Sequence, residues 1–280
     1  MSVTHNTATI VTEGLQFYNA STALWEIEDY DVNNPKCNPD VRTGVIALSS
    51  KLYNLAQDGD YKDDYLSPFD DDAIPEMTFS KEEQTGLWVY DQDGTTDTAE
   101  DPGWISNESY NRNVNEFTFF CWYNFPYGGG SQRTDNIYGG GFQSKTSFYL
   151  SSGGTSSNRG FLRYPNSGSS GSYSRTTTEF NDPQQWLCMA TTDENVHEIG
   201  GATTKLYFNG LLNGSSTGSS SFAAPSGTDK AVWGSWSGGY GPFSGKSNCF
   251  MYYERKLSAD EILQNYNATK GRFGTNQDIE

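Results

Sequence analysis

The apolar positions of the chain fall into short runs with the spacing of β-strands. The run FTFFCWY, residues 117–123, is apolar on both faces, which is typical of a central strand that is covered on two sides. WLCMAT at 186–191 and CFMYY at 249–253 have the same character, so we expect them to be central as well. Leu15 and Phe17 alternate with polar residues and predict a half-buried first strand.

Turn signals join several of these runs into hairpins. SFYL at 147–150 and FLRY at 161–164 flank a loop rich in Ser and Gly, and we expect them to pair. KLYF at 205–208 leads into Asn209 and Gly210, and this dipeptide favours a type I′ turn because both of its residues need a positive φ. The following LLNG is therefore predicted to be the return strand.

One convincing helix is predicted, directly after the CFMYY strand. Ser258 can cap the amide of Glu261 while the Glu261 side chain reaches back, and Leu257 can pack on Ile262 ahead of the first turn. Gly271 is the predicted stop. The apolar stripe that should face the sandwich consists of Ile262, Leu263 and Tyr266.

Composition agrees with many strands and few helices. The 280 residues include 30 Gly, and aromatic residues make up 15% of the chain, so a core can be built from a few large rings. We predict an all-β fold, an antiparallel sandwich with one short C-terminal helix. We expect a flexible or docking N-terminal arm at residues 1–13, a single domain at 14–274 and a polar tail at 275–280. Within the domain, residues 54–116 form an acidic part rich in loops.

The formal net charge of −17 lies entirely in the first part of the chain. Residues 1–120 hold 6 basic and 23 acidic residues, whereas residues 121–280 hold 12 of each. Such a surface repels phosphate, so nucleic acid and anionic membranes are not expected partners. The first residues have neither the basic nor the apolar region of a signal peptide, and we expect no export by that route.

The order of the motifs resembles a known family. GLxFY, FTFxxW, WLxMAT, KLYFNG and the segment FSGKSNCFMYYERKLSADEILQNY follow one another as in LamG-like jelly rolls of the concanavalin A-like lectin/glucanase superfamily. The resemblance extends from about residue 14 to residue 274. The ending LSADEILQNYNATKGRFG also resembles LamG-like modules in virion structural proteins of tailed phages, particularly those of marine cyanobacterial hosts.

The resemblance implies a jelly roll that acts without catalysis on the surface of a phage particle. A fibre, an appendage or a capsid decoration would fit. Such a protein would be made in the host cytoplasm, would contact other virion proteins and copies of itself, and could bind host-surface glycans. Two alternatives remain open, namely a separate carbohydrate-binding lectin and a glycoside hydrolase.

Members of the superfamily bind glycans and calcium, and two segments of this chain offer suitable side chains. Trp236 and Tyr240 stand in a Gly-rich segment and could stack on sugar rings, although packing within the protein would also explain them. The calcium candidates are Asp91, Asp93 and Asp97, which would supply carboxylates on a Gly turn. The alternative for the turn is an acidic loop that holds no ion.

Catalytic constellations are weak. A retaining glycosidase needs two carboxyl groups about 5 Å apart, and the acidic run that starts at Glu26 and Glu28 departs from the usual pattern because Asp31 would have to end it. His5 and His197 have no serine nucleophile motif nearby. We therefore predict no catalytic residues. The four cysteines are widely spaced, and we expect free thiols that serve as small apolar side chains.

Overall fold

The computed structural model contains two antiparallel sheets and one helix. It describes the main chain of residues 15–17, 52–53, 65–68, 77–81, 88–93, 104–111, 115–124, 136–142, 146–151, 159–163, 173–175, 186–195, 203–217, 228–233 and 244–273, and most side chains within 115–124, 186–195, 203–217 and 251–273. The elements are β1 (Leu15–Phe17), β2 (Leu52–Tyr53), β3 (Tyr65–Pro68), β4 (Met77–Lys81), β5 (Trp88–Asp93), β6 (Trp104–Asn111), β7 (Glu116–Asn124), β8 (Asn136–Phe142), β9 (Thr146–Ser151), β10 (Arg159–Arg163), β11 (Tyr173–Arg175), β12 (Trp186–Glu194), β13 (Thr203–Phe208), β14 (Leu211–Thr217), β15 (Thr228–Trp233), β16 (Ser244–Tyr253) and α1 (Ala259–Thr269).

These strands form the predicted sandwich of two sheets. In the helix-bearing sheet the order is β14-β13-β12-β7-β16-β5-β4, and β1 pairs with β16 as well. The second sheet has the order β11-β10-β9-β8-β15-β6-β3-β2. Strands β10 and β11 run close to β13 and β14, so the sheets meet at this end. The all-β prediction is confirmed, and no described helix is long and apolar enough to cross a membrane.

The three runs that are apolar on both faces form the centre of the helix-bearing sheet. β7 pairs with β12 on one side and with β16 on the other, all antiparallel. Phe120 and Trp122 point to the helix and belong to one buried cluster with residues of α1. Phe119 stacks near Tyr252 on the opposite face, with ring centroids 5.2 Å apart. Two-sided burial is therefore the reason for the continuous apolar pattern.

The β13–β14 hairpin has the predicted turn. Asn209 and Gly210 have φ values of 48° and 82°, the positive values that a type I′ turn requires. The Asn209 backbone N–H donates to the carbonyl of Cys188 at 2.9 Å, and its side-chain oxygen accepts from the Cys188 N–H at 3.1 Å. A Cβ on Gly210 would lie 3.0 Å from the Tyr266 ring. The turn is thus fixed against both the sheet and the helix.

The helix begins with the predicted capping box. The Glu261 backbone N–H donates to the Ser258 hydroxyl at 3.2 Å, and the Ser258 N–H donates to the Glu261 carboxylate at 2.8 Å. Leu257, Ile262 and Tyr266 are buried against the sheet, as expected. The end differs from the prediction. The chain continues past Gly271 in a 3₁₀ turn, Lys270–Arg272, because this turn carries the next residue, Phe273, onto the sheet.

Phe273 and the helix hold the indole of Trp122 between two rings. The Trp122 ring stacks on Phe273 with centroids 4.2 Å apart and on Tyr266 with centroids 5.8 Å apart. Its Nε1–H donates to the hydroxyl of Thr269 at 2.9 Å, so the polar edge of this buried ring is also satisfied. The predicted docking of the helix on the sandwich is therefore confirmed.

The acidic first part of the chain holds more strands than its composition indicates. β3 to β6 all lie within residues 54–116, and β6 was not identified as a strand because its sequence, WISNESYN, contains few apolar residues. The described residues include neither Cys37 nor VIALSS at 45–50, an apolar run with the character of a strand. Cys121 and Cys188 are buried free thiols, as expected. Cys249 lies in β16 where the register against β7 shifts.

Candidate functional site

The predicted calcium and glycan residues are only partly within the described chain. Asp91 and Asp93 lie in β5, where the sequence analysis expected a turn, and their positions in one strand place them on the same face. Asp91 pairs with Lys246 of β16 in the register of the two strands. Asp97, Trp236 and Tyr240 lie outside the described residues.

The other candidate residues of the sequence analysis also fall outside this part of the chain. They are Glu26, Glu28, Asp31, His5 and His197. Trp233, which precedes the Gly-rich segment of Trp236 and Tyr240, ends β15. Among the residues that the structure does describe, no group of three or more His, Cys, Asp or Glu side chains could hold a metal ion.

The helix covers only one part of the outer face of its sheet. The half near the Gly210 turn lies under α1, where Tyr207, Ala190 and Phe120 belong to the buried cluster. The other half, toward the start of β13 and the end of β14, is partly open to solvent. We call this open half the outer-face patch. It consists of Glu194, Thr203, Lys205, Leu212, Ser215, Thr217 and Lys256.

Strand register brings the residues of the outer-face patch together. Lys205 pairs with Ser215 on β14, and Thr203 pairs with Thr217. On the other side, Thr203 pairs with Glu194 of β12. Directly opposed residues of an antiparallel pair share a face with Cβ atoms about 5 Å apart. Hydroxyl groups, a cation and a carboxylate therefore lie side by side on one rigid surface.

The charged groups of the patch differ in their partners. The ammonium of Lys256 donates to the carboxylate of Glu194, and this hydrogen bond raises the pKa of Lys256. Lys205 makes no ion pair with any described residue and remains partly exposed. Burial raises the pKa of Tyr207, which pairs with the exposed Leu212 at the border of the patch. The patch thus combines neutral hydroxyl groups with a cation that forms no ion pair with a described residue.

A second polar feature lies inside the sandwich, on the opposite face of the same strands. Asp193 is fully buried, and one of its carboxyl oxygens accepts a hydrogen bond from the Thr204 hydroxyl. The other oxygen has no partner. Burial raises the pKa of Asp193 well above its usual value, with a smaller contribution from Glu194 in the same direction. Burial therefore favours the neutral form of this carboxyl group, which solvent does not reach.

The interior acid does not form a pair of catalytic carboxyls with its described neighbours. The residues across from Asp193 are Phe117 on β7 and Thr204 on β13. Glu194 follows it in the strand and points to the other face, where Lys256 holds it. The described carboxyls thus do not form the two-carboxylate arrangement of a retaining glycosidase.

Sequence reasoning did not identify the outer-face patch. Its signal was present in the period-two spacing of Thr203 and Lys205 in β13 and in the polar end of β12, but alternation alone describes any half-exposed strand. Only the position of the helix shows which half of the face stays open. The exposed Leu212, with 56% of its surface accessible, marks that border.

Several solved structures share the fold. No curated protein matches the sequence. Domain 4 of AbnA, a GH43 extracellular arabinanase from Geobacillus stearothermophilus in complex with arabinotriose, has a TM-score of 0.50 and 14% identity over 81% of this chain and 95% of that chain. The binding domain of Paraclostridial Mosquitocidal Protein 1 has a TM-score of 0.53 and 12% identity over 80% of this chain and 51% of that chain.

The binding domain of Botulinum Neurotoxin DC in complex with SialylT has a TM-score of 0.52 and 11% identity over 78% of this chain. The protein spans about half the length of the toxin domains, with 48% of this one covered. At such low identity the likeness concerns the fold. The sequence model described as the concanavalin A-like lectin/glucanases superfamily matches residues 93–263, more than half of the chain. The chain therefore belongs to the concanavalin A-like lectin/glucanases superfamily.

Proposed function

We propose that this protein is a non-enzymatic structural component of a tailed-phage particle, located on the particle surface as a fibre, an appendage or a capsid decoration. Its sandwich serves assembly with other virion proteins and with copies of itself. Binding of host-surface glycans is its second role in this proposal. A shared fold does not by itself define a function, so each role has its own test.

The observation that carries the assembly role is the C-terminal unit. The segment that resembles phage virion modules, LSADEILQNYNATKGRFG, contains the helix and the 3₁₀ turn that cover part of the outer face of the helix-bearing sheet. It includes Phe273, which stacks on Trp122. This segment is thus part of the folded sandwich, which supports a role for the resemblance beyond an appended tail.

The glycan role is supported by the family and by two of the structural neighbours. One was solved with arabinotriose and another with SialylT, on folds that match most of this chain. These observations also favour the alternative of a separate carbohydrate-binding lectin. The two candidates differ in where the protein is found, and that difference can be measured directly.

Mass spectrometry of purified particles distinguishes these candidates. We expect the protein in density-purified phage particles in a constant ratio to the major capsid protein, and we expect electron density for it on the particle surface. A host protein of similar abundance serves as the contamination control. Absence from purified particles, together with glycan binding by the free protein, would establish the lectin instead.

The non-enzymatic part of the proposal has a separate test. We expect no release of reducing sugar from cell-wall or capsular polysaccharides by the purified protein. Release by the wild type that is lost in Glu26→Gln or Glu28→Gln would show a glycoside hydrolase and would overturn this part.

A further inference from the structure

We propose that the outer-face patch is a binding site for saccharides that carry a carboxylate, such as uronic acid residues. The inference rests on the glycan role proposed above and assigns that role to specific residues. Lys205 would bind the carboxylate, and the hydroxyl groups of Thr203, Ser215 and Thr217 would bind the ring hydroxyls. Leu212 would pack against the apolar face of the sugar.

The two lysines of the outer-face patch differ in their ion-pair partners. Lys256 is held by the carboxylate of Glu194, so its charge is already compensated. Lys205 has no ion pair among the described residues, although strand pairing fixes its main chain on both sides. A lysine that pairs with no described residue is available for an anionic group, and strand pairing limits the entropy that its backbone loses on binding.

Three hydroxyl groups lie around Lys205 on the same face. Ser215 lies directly across from it on β14, and Thr203 and Thr217 form the next opposed pair along the same face. Each hydroxyl can both donate and accept a hydrogen bond, which suits the hydroxyl groups of a sugar.

An exposed leucine at the border of the patch provides an apolar surface beside the hydroxyl groups. Leu212 is 56% exposed and stands opposite Tyr207 on the same face as Lys205. Sugar rings have an apolar C–H face beside their polar edges, so an aliphatic side chain next to hydroxyl groups matches both surfaces. A polar polymer without such a face, for example polyglutamate, would make only the charge contact.

The overall charge of the protein opposes the binding of an anionic saccharide. The protein has a net charge of −17, so it repels anions in general. The acidic excess lies in residues 1–120, whereas the whole patch comes from the balanced part of the chain. Binding of an anionic saccharide would therefore require a local site, and removing the Lys205 charge should have a large effect.

Calorimetric titration of the full protein with oligogalacturonate tests the inference. We expect binding by the wild type, a loss of about tenfold or more in affinity for Lys205→Ala, and a smaller loss for Ser215→Ala. Lys270→Ala is the matched control. It removes the same charge from the helix end, where the ammonium lies 5.4 Å from the Tyr266 ring, and should leave affinity unchanged.

Two further ligands separate the possible outcomes. A neutral glucose oligomer should bind more weakly than oligogalacturonate, and oligoglutamate should not bind. Equal binding by Lys205→Ala, equal binding of oligoglutamate, or no binding of oligogalacturonate would each overturn the inference. Thermal melting of Lys205→Ala shows whether the variant is folded. Detection in particles without uronate binding would leave the assembly role intact and reject only this site.

Discussion

Asp193 is a carboxylic acid enclosed between two sheets. Its environment offers one hydrogen-bond donor, the Thr204 hydroxyl, and leaves the second carboxyl oxygen without a partner. Desolvation penalises the charged form far more than the neutral one, so the acid stays protonated in the folded protein at a pH where an exposed Asp would be ionised. The unfolded chain ionises first as the pH rises.

We therefore predict that Asp193 lowers stability as the pH rises. Above the unfolded pKa of about 3.9, the wild type should lose about 1.4 kcal/mol of unfolding free energy per pH unit relative to Asp193→Asn, until the folded pKa is reached. Urea unfolding at pH values from 3 to 8 measures this difference. Below the unfolded pKa the difference should be constant, which provides the internal control. Parallel curves over the whole range would show that the acid is ionised in the fold.

Gly210 gives a second prediction at the scale of single residues. Its φ of 82° is unfavourable for residues with a Cβ, and that Cβ would lie 3.0 Å from three atoms of Tyr266. Gly210→Ala should reduce the free energy of unfolding by about 2 kcal/mol or more, measured by urea denaturation. Gly271→Ala is the control, because nothing lies within 4 Å of its added Cβ. Equal effects of both changes would contradict the geometry.

At the scale of elements, the helix is fastened to the sheet at both of its ends. The Thr118 hydroxyl of β7 accepts from the Leu257 N–H and donates to the Arg255 carbonyl, each at 2.9 Å. At the other end Thr269 accepts from the Trp122 indole. These contacts join residues almost 140 positions or more apart, so the helix depends on the strands for its stability.

The capping box provides a prediction for this element. Ser258→Ala should cost about 1 kcal/mol of unfolding free energy, because the Glu261 N–H loses its acceptor at the start of the helix. Ser258→Asp should retain most of the stability, since its carboxylate can accept the same bond. Chemical denaturation of the three proteins measures both values. Equal stability of Ser258→Ala and wild type would show that water replaces the cap.

The same helix start should weaken in acid. Hydrogen bonding to Arg255, partly offset by desolvation, lowers the pKa of Glu261 from 4.5 to about 2. Because the pKa is depressed, ionised Glu261 contributes its full stabilisation of the folded state above the ordinary pKa. This stabilisation is lost as the pH falls toward 2. Both Arg255 contacts, at 3.0 and 2.5 Å, are partly exposed, so the contribution is small.

The strands and the helix were predictable where local chemistry determines them. Asn209 and Gly210 specify their turn, Ser258 and Glu261 specify the helix start, and continuous apolar runs specify the central strands. β6 was missed because a strand with few apolar residues has no periodic signal. The 3₁₀ turn after the helix was not predictable either, because it accompanies the stacking of Phe273 on Trp122, a contact between segments far apart in the chain.

The site was less predictable than the fold. Lys205, Ser215 and Leu212 are ordinary residues of a half-exposed hairpin, and their role as a surface depends on which part of the sheet α1 leaves open. That boundary arises from contacts between segments far apart in the chain. The residues that drew attention by composition, Asp97, Trp236 and Tyr240, lie outside the described residues and keep the status of predictions.

At the scale of the whole molecule, the net charge of −17 opposes compaction. Carboxylates concentrated in residues 1–120 repel one another, and this repulsion is screened as ionic strength rises. We predict that the midpoint of thermal unfolding rises by several degrees between about 10 and 300 mM NaCl, measured by circular dichroism. A midpoint that falls with salt would show that attractive ion pairs outweigh the repulsion.

Calcium at equal ionic strength provides the control for that experiment. If Asp91, Asp93 and Asp97 hold an ion, calcium chloride should raise the midpoint beyond the sodium chloride value, and EDTA should reverse the excess. Equal effects of the two salts would indicate general screening and would count against a calcium site.

The place of β16 in its sheet has a consequence for synthesis. One edge of this strand pairs with β7. Its other edge pairs with β5 along the first half of the strand and with β1 along the second half. Three parts of this sheet are joined only through β16 in the described pairings: β1, the β4–β5 hairpin, and the block of β7, β12, β13 and β14. They have no described pairing with one another in this sheet before residues 244–253 have left the ribosome. We expect nascent chains to remain open and dependent on chaperones until β16 has left the ribosome, and then to close in a single step.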